Sequence, residues 1–240
     1  MGRVAIVTGG NRGIGFAVAQ ELAARGCSVW IAARDPESGS EAAARLTDLG
    51  YDATALVLDV TDEGSIANAA ARIMNEVGRL DILVNNAGQA LDGDALPSAI
   101  GMACVRATFE INLFGVIAVT QAFLPFLRKS AGGRIVMVSS DIGSHGRRTD
   151  PSFAYYALNP LAYSASKAAL NAATISFAKE LIGTEIKVNA ANPSFTSTAL
   201  NGFTGVLTVE QGAAPIVALA MLADDGPTGV FWGPDGPEPW

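Results

Sequence analysis

The chain has few of the residues that build metal centres and cross-links. Its 240 residues include one histidine and two cysteines. Cys27 and Cys104 lie far apart, and neither has a second Cys or a His nearby, so the sequence predicts neither a metal site nor a disulfide framework. Charged residues make up only 16% of the chain, and the net charge is −7. Nucleic acid and anionic membranes attract basic surfaces, so neither is an expected partner.

Long apolar runs are also scarce. The opening stretch MGRVAIVTGG lacks the pattern of a secretory signal. The most apolar later stretch, GVIAVTQAFLPFL, contains Thr120, Gln121 and Pro125, which argue against a membrane-spanning helix. We therefore expect a cytoplasmic protein that acts on a small molecule.

What the sequence does have is an alternation of short β-branched runs and longer Ala-rich segments. We predict strands at 4–7, 28–32, 53–58, 82–85, 134–139, 187–190 and 230–232, and helices at 14–25, 38–49, 63–77, 102–128, 163–181 and 209–222. Continuous apolar strands are typical of parallel sheets buried on both faces. The order predicts one α/β domain over residues 1–240, a doubly wound parallel sheet with helices on both faces.

Two segments, 141–160 and 193–205, break this pattern. Both follow predicted strands, and ligands bind at the carboxyl ends of parallel strands. We predict that Tyr155 and Tyr156 of the first segment and Phe195 of the second contact the substrate, with simple packing as the alternative. His145 also lies in the first segment, where a solvated loop residue is favoured over a catalytic base.

A glycine-rich loop, TGGNRGIG, follows the first predicted strand and leads into a helix. In doubly wound sheets this position holds a pyrophosphate at the helix N-terminus. The spacing differs from G-x-G-x-x-G, so the position of the loop carries the argument. The predicted cofactor contacts in this loop are Gly9, Asn11, Arg12, Gly13, Ile14 and Gly15.

The end of the second predicted strand bears on which dinucleotide binds. A chain selecting NAD would place an acid there for the ribose hydroxyls. This chain has Ala33 and Arg34, and Asp35 comes only afterwards. Guanidinium groups from Arg12 and Arg34 would suit a 2′-phosphate, whereas two solvated arginines are the alternative. The sequence therefore favours NADP(H) over NAD(H).

The stretch LAYSASKAAL carries a tyrosine and, four residues later, a lysine. On a helix, Tyr163 and Lys167 would lie on one face. We expect the Lys167 ammonium to lower the pKa of Tyr163, which would let the phenol act as a general acid toward a carbonyl oxygen. An ordinary helix pair is the alternative.

These motifs resemble those of the short-chain dehydrogenase/reductase family over essentially the whole chain. TGGNRGIG is similar to its TGxxxGxG loop, NNAG at 85–88 to its fourth-strand motif, and YSASK at 163–167 to its YxxxK. The resemblance implies a Rossmann-like fold and a catalytic tetrad of Asn112, Ser140, Tyr163 and Lys167. It also implies that Ser140 holds the substrate oxygen. Further cofactor contacts implied by the resemblance are Asp59, Val60, Asn86, Ala87, Gly88, Pro193 and Thr198, together with Tyr163 and Lys167.

Some details differ from the family pattern. Ser140 and Tyr163 are 23 positions apart, a longer separation that resembles the carbonyl-reductase branch. That branch is linked to a monomeric state, but the sequence leaves monomer and homo-oligomer open. Ser139 is a rival for Ser140, although successive strand side chains face opposite ways. Ser194 follows Pro193 where the family usually has glycine, which leaves the local backbone shape open.

The resemblance implies an NADPH-dependent reductase that converts an aldehyde or ketone into an alcohol. Two alternatives stay open. The first is an NAD-linked alcohol dehydrogenase working in the oxidative direction. The second is a cofactor-binding sensor without catalysis.

Overall fold

A computed structural model describes residues 2–240 of the chain. Its strands are β1 Val4–Thr8, β2 Ser28–Ala33, β3 Ala53–Val57, β4 Ile82–Asn85, β5 Arg134–Val138, β6 Lys187–Ala191, β7 Phe231–Gly233 and β8 Gly236–Pro237. Its α-helices are α1 Gly13–Ala24, α2 Pro36–Asp48, α3 Glu63–Glu76, α4 Met102–Phe109, α5 Gly115–Leu127, α6 His145–Arg148, α7 Leu161–Glu180 and α8 Val209–Ala220. The seven predicted strands and six predicted helical regions are present, with small shifts at their ends.

The strands form one sheet in the order β3-β2-β1-β4-β5-β6-β7-β8. All neighbouring pairs are parallel except β7 and β8, which are antiparallel. Apolar side chains from the two faces of the sheet enter separate core clusters, one under each helix layer. The structure therefore confirms the doubly wound, Rossmann-like fold. The strand order reverses between β1 and β4, where ligands bind in sheets of this kind.

The predicted helix at 102–128 is divided in the structure. A π-helical turn, Glu110–Phe114, separates α4 from α5 and turns the Asn112 side chain into the protein. π turns inside helices are rare and occur frequently at functional sites. The periodicity of apolar residues did not reveal this turn.

The same region is the most apolar helical segment. An 18-residue window within Met102–Leu127 has a mean hydropathy of 1.6, and the segment is long and apolar enough to cross a membrane by length and composition alone. Pro125 lies inside α5 and does not end it. In the fold, however, α4 packs on α7 and α5 packs on α3, and Thr120 is fully buried. We therefore assign the segment to a helix layer of the α/β fold.

Both segments predicted as irregular contain short ordered elements. Residues 141–160 include the 3-10 turn Asp141–Gly143 and α6, and residues 193–205 include the 3-10 turn Ala199–Asn201. The residues after β8 pack on α6, where the Gly146 N–H donates to the Trp240 carbonyl oxygen at 2.9 Å. These contacts join distant parts of the sequence, so local pattern did not predict them.

Candidate active site

Tyr163 and Lys167 lie in the first half of α7 and face the carboxyl end of β5. Lys167 is 4% exposed, and its Nζ atom donates to the Val138 carbonyl oxygen at 2.8 Å. The same atom lies 5.7 Å from the centroid of the Tyr163 ring. The structure thus places the phenol and the amine side by side at the carboxyl end of β5.

The acid-base properties of this pair differ from the expectation. Burial, the charge of Asp141 and, in the opposite direction, a hydrogen bond with Ser140 together raise the pKa of Tyr163 to about 12. Burial lowers the pKa of Lys167 to about 8. The prediction that Lys167 lowers the Tyr163 pKa is therefore wrong for this structure, because the phenol lies in a poorly hydrated position beside a carboxyl group. At neutral pH, Tyr163 keeps its proton.

An aspartate from a distant loop holds the N-terminus of α7. The N-cap residue, Pro160, has no polar side chain that could cap a helix. Instead, the Asp94 carboxylate accepts hydrogen bonds from the Ala162 N–H at 3.0 Å and the Tyr163 N–H at 2.8 Å. These N–H groups would otherwise have no partner within the helix. Sequence reasoning missed Asp94, because it lies 69 positions before Tyr163 and no local motif marks it.

The two serines at the end of β5 have different surroundings. Ser139 is 1% exposed, and its hydroxyl donates to the Asn171 side-chain oxygen at 2.6 Å, inside the protein. Ser140 is half-buried, and its hydroxyl donates to the Asp141 Oδ1 atom at 3.2 Å. Ser140, rather than Ser139, therefore shares the surroundings of Tyr163, as the alternation of strand side chains predicts.

Asn112, in the π turn, is fully buried and binds the backbone of Gln89. Its Oδ1 atom accepts from the Gln89 N–H at 2.8 Å, and its Nδ2 atom donates to the Gln89 carbonyl oxygen at 2.9 Å. A methyl group added at Gly88 would lie 3.3 Å from both Asn112 Oδ1 and Lys167 Nζ. Asn112 and Lys167 thus close around Gly88, where a side chain would not fit without displacing them.

The glycine loop is joined to the NNAG motif through Thr8. The Thr8 hydroxyl accepts from the N–H groups of Asn86 at 2.9 Å and Ala87 at 3.0 Å. A methyl group added at Gly15 would collide with the Gly9 carbonyl oxygen and the Asn86 side chain. Gly9 also has a φ of +61°, a conformation that glycine adopts without strain. The loop therefore forms a tight backbone cradle at the start of α1.

The surroundings of this cradle include other predicted cofactor residues. Thr198 lies over the loop, with its methyl carbon 3.6 Å from the position that a Gly13 side chain would take. Asn11 donates to the Ser38 hydroxyl at 3.1 Å. Asp59 accepts from the Thr61 N–H at 2.9 Å. Ile14 is half-buried, and Val60 and Pro193 are buried.

Arg12 and Arg34 are exposed, and neither takes part in an ion pair among residues 2–240. The Asp35 carboxylate accepts from the Ser38 N–H at 3.0 Å and thereby caps α2. Asp35 is therefore engaged by the helix that follows it. A tight glycine cradle, an uncapped α1 and two arginines without acidic partners fit a phosphate-bearing dinucleotide.

The predicted substrate residues separate into two groups. The rings of Tyr155 and Phe195 lie 5.4 Å apart, so the two irregular segments meet through this pair. Phe153 packs edge-on against Tyr155 at 5.5 Å. Tyr156 is 52% exposed and lies outside this aromatic cluster. The imidazole of His145 lies in an exposed position on α6.

Ser194 takes the position after Pro193 where the family usually has glycine. It adopts a φ of +56°, the left-handed conformation that favours glycine. Its N–H donates to the Asn192 Oδ1 atom at 2.8 Å, which holds the turn. The backbone shape is therefore kept despite the side chain.

The fold and these residues define a class of proteins, the nucleotide-dependent oxidoreductases built on a doubly wound sheet. The short chain dehydrogenase family model matches residues 3–205. The chain is 39% identical to the short-chain dehydrogenase anuI of Penicillium roqueforti over 222 residues, which cover 90% of this chain and 87% of that protein. It is 34% identical to (+)-neomenthol dehydrogenase of Arabidopsis thaliana over 284 residues, covering 96% and 95% of the two chains.

A solved structure is similar over the full length. NADPH-bound carbonyl reductase from chicken fatty liver has a TM-score of 0.87 and 27% identity, with 100% of this chain and 99% of that chain covered. The chain belongs to the short-chain dehydrogenase/reductase family of oxidoreductases.

Proposed function

We propose that the protein is an NADPH-dependent reductase that converts an aldehyde or ketone into an alcohol. The observation that carries this proposal is the half-buried Tyr163 phenol, which keeps its proton at neutral pH and lies beside the half-buried Ser140 hydroxyl. A proton donor at this place is what carbonyl reduction needs, whereas alcohol oxidation needs a base. The bound cofactor would supply the hydride.

We assign each of the four residues a role that its position supports. Tyr163 donates its proton to the carbonyl oxygen as negative charge develops there, and Ser140 holds that oxygen. Lys167, between Gly88 and the Val138 carbonyl, would bind the ribose on the nicotinamide side of the cofactor. Asn112 keeps the Gln89 backbone in place beside that lysine, and it supports a route by which water returns a proton to the site.

Three observations support a preference for NADP(H). Arg12 and Arg34 are exposed and outside ion pairs in the described chain, so their charges are available to a 2′-phosphate. The Asp35 carboxylate caps α2 through the Ser38 N–H. The carbonyl reductase of similar structure was solved with NADPH. The rest of the proposed cofactor site consists of Gly9, Asn11, Gly13, Ile14, Gly15, Asp59, Val60, Asn86, Ala87, Gly88, Pro193 and Thr198, together with Tyr163 and Lys167.

The aromatic cluster of Phe153, Tyr155 and Phe195 supports an apolar substrate. These rings lie where the two irregular segments meet, and aromatic walls favour carbonyl compounds with an apolar body. Tyr156 would contact a substrate only at the rim, since it is outside the cluster.

The test is a panel of aldehydes and ketones with NADPH or NADH, followed by loss of cofactor absorbance. We expect reduction of apolar carbonyl compounds with NADPH, and a loss of roughly 100-fold to 10,000-fold in kcat for Tyr163→Phe. Tyr51→Phe, remote from the site, is the control. Arg34→Ala should raise KM for NADPH and leave KM for NADH unchanged. A Tyr163→Phe variant with unchanged turnover would overturn the proposed role of Tyr163, and cofactor binding without turnover of any carbonyl compound would favour the sensor.

A further inference from the structure

Asp141 is a buried carboxyl group beside the site that the proposed reaction does not use. It is 8% exposed and begins the 3-10 turn after β5. Its Oδ1 atom accepts from the Ser140 hydroxyl at 3.2 Å and from the Ile142 N–H at 2.8 Å. The carboxylate therefore competes with any substrate for the hydroxyl proton of Ser140.

A network of side chains is hydrogen-bonded to the backbone of Asp141. Its backbone N–H donates to Asn192 Oδ1 at 3.2 Å, and the Asn192 amide donates to Glu238 Oε1 at 3.2 Å. Arg147 donates to Glu238 Oε2 at 2.8 Å. The guanidinium nearest to this network is thus bonded to Glu238, and Asp141 has no ion-pair partner within residues 2–240.

Another buried aspartate, Asp81, shows how hydrogen bonds outweigh burial in this chain. Asp81 accepts from the Ser130 hydroxyl at 2.6 Å, the Val4 N–H at 2.8 Å and Arg79 at 3.2 Å. Burial acts to raise the pKa of Asp81, but these bonds outweigh it and the pKa is lowered. For Asp141, burial outweighs its hydrogen bonds and raises the pKa.

We propose that Asp141 is a positioning residue that decides whether the Ser140 hydroxyl donates or accepts a hydrogen bond in the site. As a carboxylate, Asp141 accepts the hydroxyl proton, so Ser140 presents a lone pair that suits an alcohol. As a carboxylic acid, Asp141 donates to Ser140, whose own proton then turns toward a carbonyl oxygen. This inference rests on the proposed reductase function and adds that protonated Asp141 favours reduction and ionised Asp141 favours oxidation.

Other titratable groups surround Asp141 and must be separated from it. Tyr163 and Lys167 face it from α7, His145 and Arg147 lie on α6, and Glu238 lies in the segment after β8. Glu238 raises the pKa of Asp141 and Arg147 lowers it, both less than burial does. A change in rate near pH 8 belongs to Lys167, whose pKa is about 8. The change assigned to Asp141 is the one that Asp141→Asn removes.

The experiment measures kcat/KM for carbonyl reduction with NADPH from about pH 5 to about pH 9. In the wild type, we expect a fall of roughly tenfold as Asp141 ionises, the worth of about one hydrogen bond. This fall in kcat/KM should be absent in Asp141→Asn. It should persist in the control variants Asp150→Asn and His145→Gln. In a Ser140→Ala background, Asp141→Asn should change nothing further.

Two results would overturn the inference. One is a fall in kcat/KM with pH that is the same in Asp141→Asn as in the wild type. The other is an equal effect of that substitution with and without the Ser140 hydroxyl.

A second measurement needs neither turnover nor the Asn variant. Carbon-13 NMR titration of the Asp141 carboxyl should show a higher pKa in Ser140→Ala, because the carboxylate loses a hydrogen bond, and an unmoved pKa refutes the coupling. If no carbonyl compound is reduced, the proposed function fails while the NMR titration still decides the inference.

Discussion

Replacing Lys167 with methionine is expected to stabilise the cofactor-free protein at neutral pH. The amine is 4% exposed, and burial lowers its pKa from 10.5 to about 8. At about 1.4 kcal/mol for each pH unit, this difference corresponds to roughly 3 kcal/mol of unfavourable charge burial. Loss of the hydrogen bond to the Val138 carbonyl offsets about 1 kcal/mol of the gain. We therefore expect a net increase of about 2 kcal/mol in the free energy of unfolding near pH 7.

The pH dependence follows from which state holds the proton. Below about pH 8, the lysine is charged in both the folded and the unfolded protein, so the whole cost of burial is present. Between about pH 8 and 10.5, the folded protein has lost the proton and the unfolded chain keeps it, so wild-type stability rises with pH. The advantage of the methionine variant should therefore be largest near pH 7 and should shrink as pH rises.

Urea unfolding followed by circular dichroism, near pH 7 and near pH 9.5, measures this difference. Lys179→Met is the matched control, because Lys179 is exposed near the end of the same helix. It should show little change at either pH. Two results would refute the reasoning. One is a Lys167→Met variant that is less stable than the wild type near pH 7. The other is a gain in the free energy of unfolding that is equal at both pH values.

Three further predictions concern the loops around the site. Ser194→Gly should raise the free energy of unfolding by up to about 1 kcal/mol, because glycine relieves the left-handed backbone, and a loss of stability in urea titration would contradict this. Asp94→Ala should lower kcat for reduction by at least about tenfold through loss of the α7 cap, whereas Asp92→Ala in the same loop should not, and equal rates would argue against this positioning role. Gly15→Ala should abolish NADPH binding in calorimetry, because its methyl group collides with Asn86, and unchanged affinity would disprove the cradle.

Much of the fold follows from local pattern. Continuous apolar runs predict the parallel strands, and the glycine loop after β1 predicts where an anion would bind. The pairing of Tyr163 with Lys167 also follows from helical spacing alone. These features depend on residues close together in the sequence, where periodicity and backbone geometry act directly.

Other features of the site depend on the packing of distant segments. Asp94 binds the N-terminus of α7 from a loop, 69 positions before Tyr163, and no short motif predicts this contact. The error about Tyr163 has the same origin. The sequence shows a lysine four residues away, but the pKa of the phenol is decided by the depth of burial and by Asp141, which only the folded chain brings together.

The π turn at Glu110–Phe114 makes this part of the chain sensitive to length as well as to composition. One residue corresponds to about 100° of rotation around a helix. Deleting a single residue from α4 would therefore swing the Asn112 amide away from Gln89, even if every remaining side chain were unchanged. Insertions and deletions here should be tolerated far less than substitutions on the outer surface of the same helix.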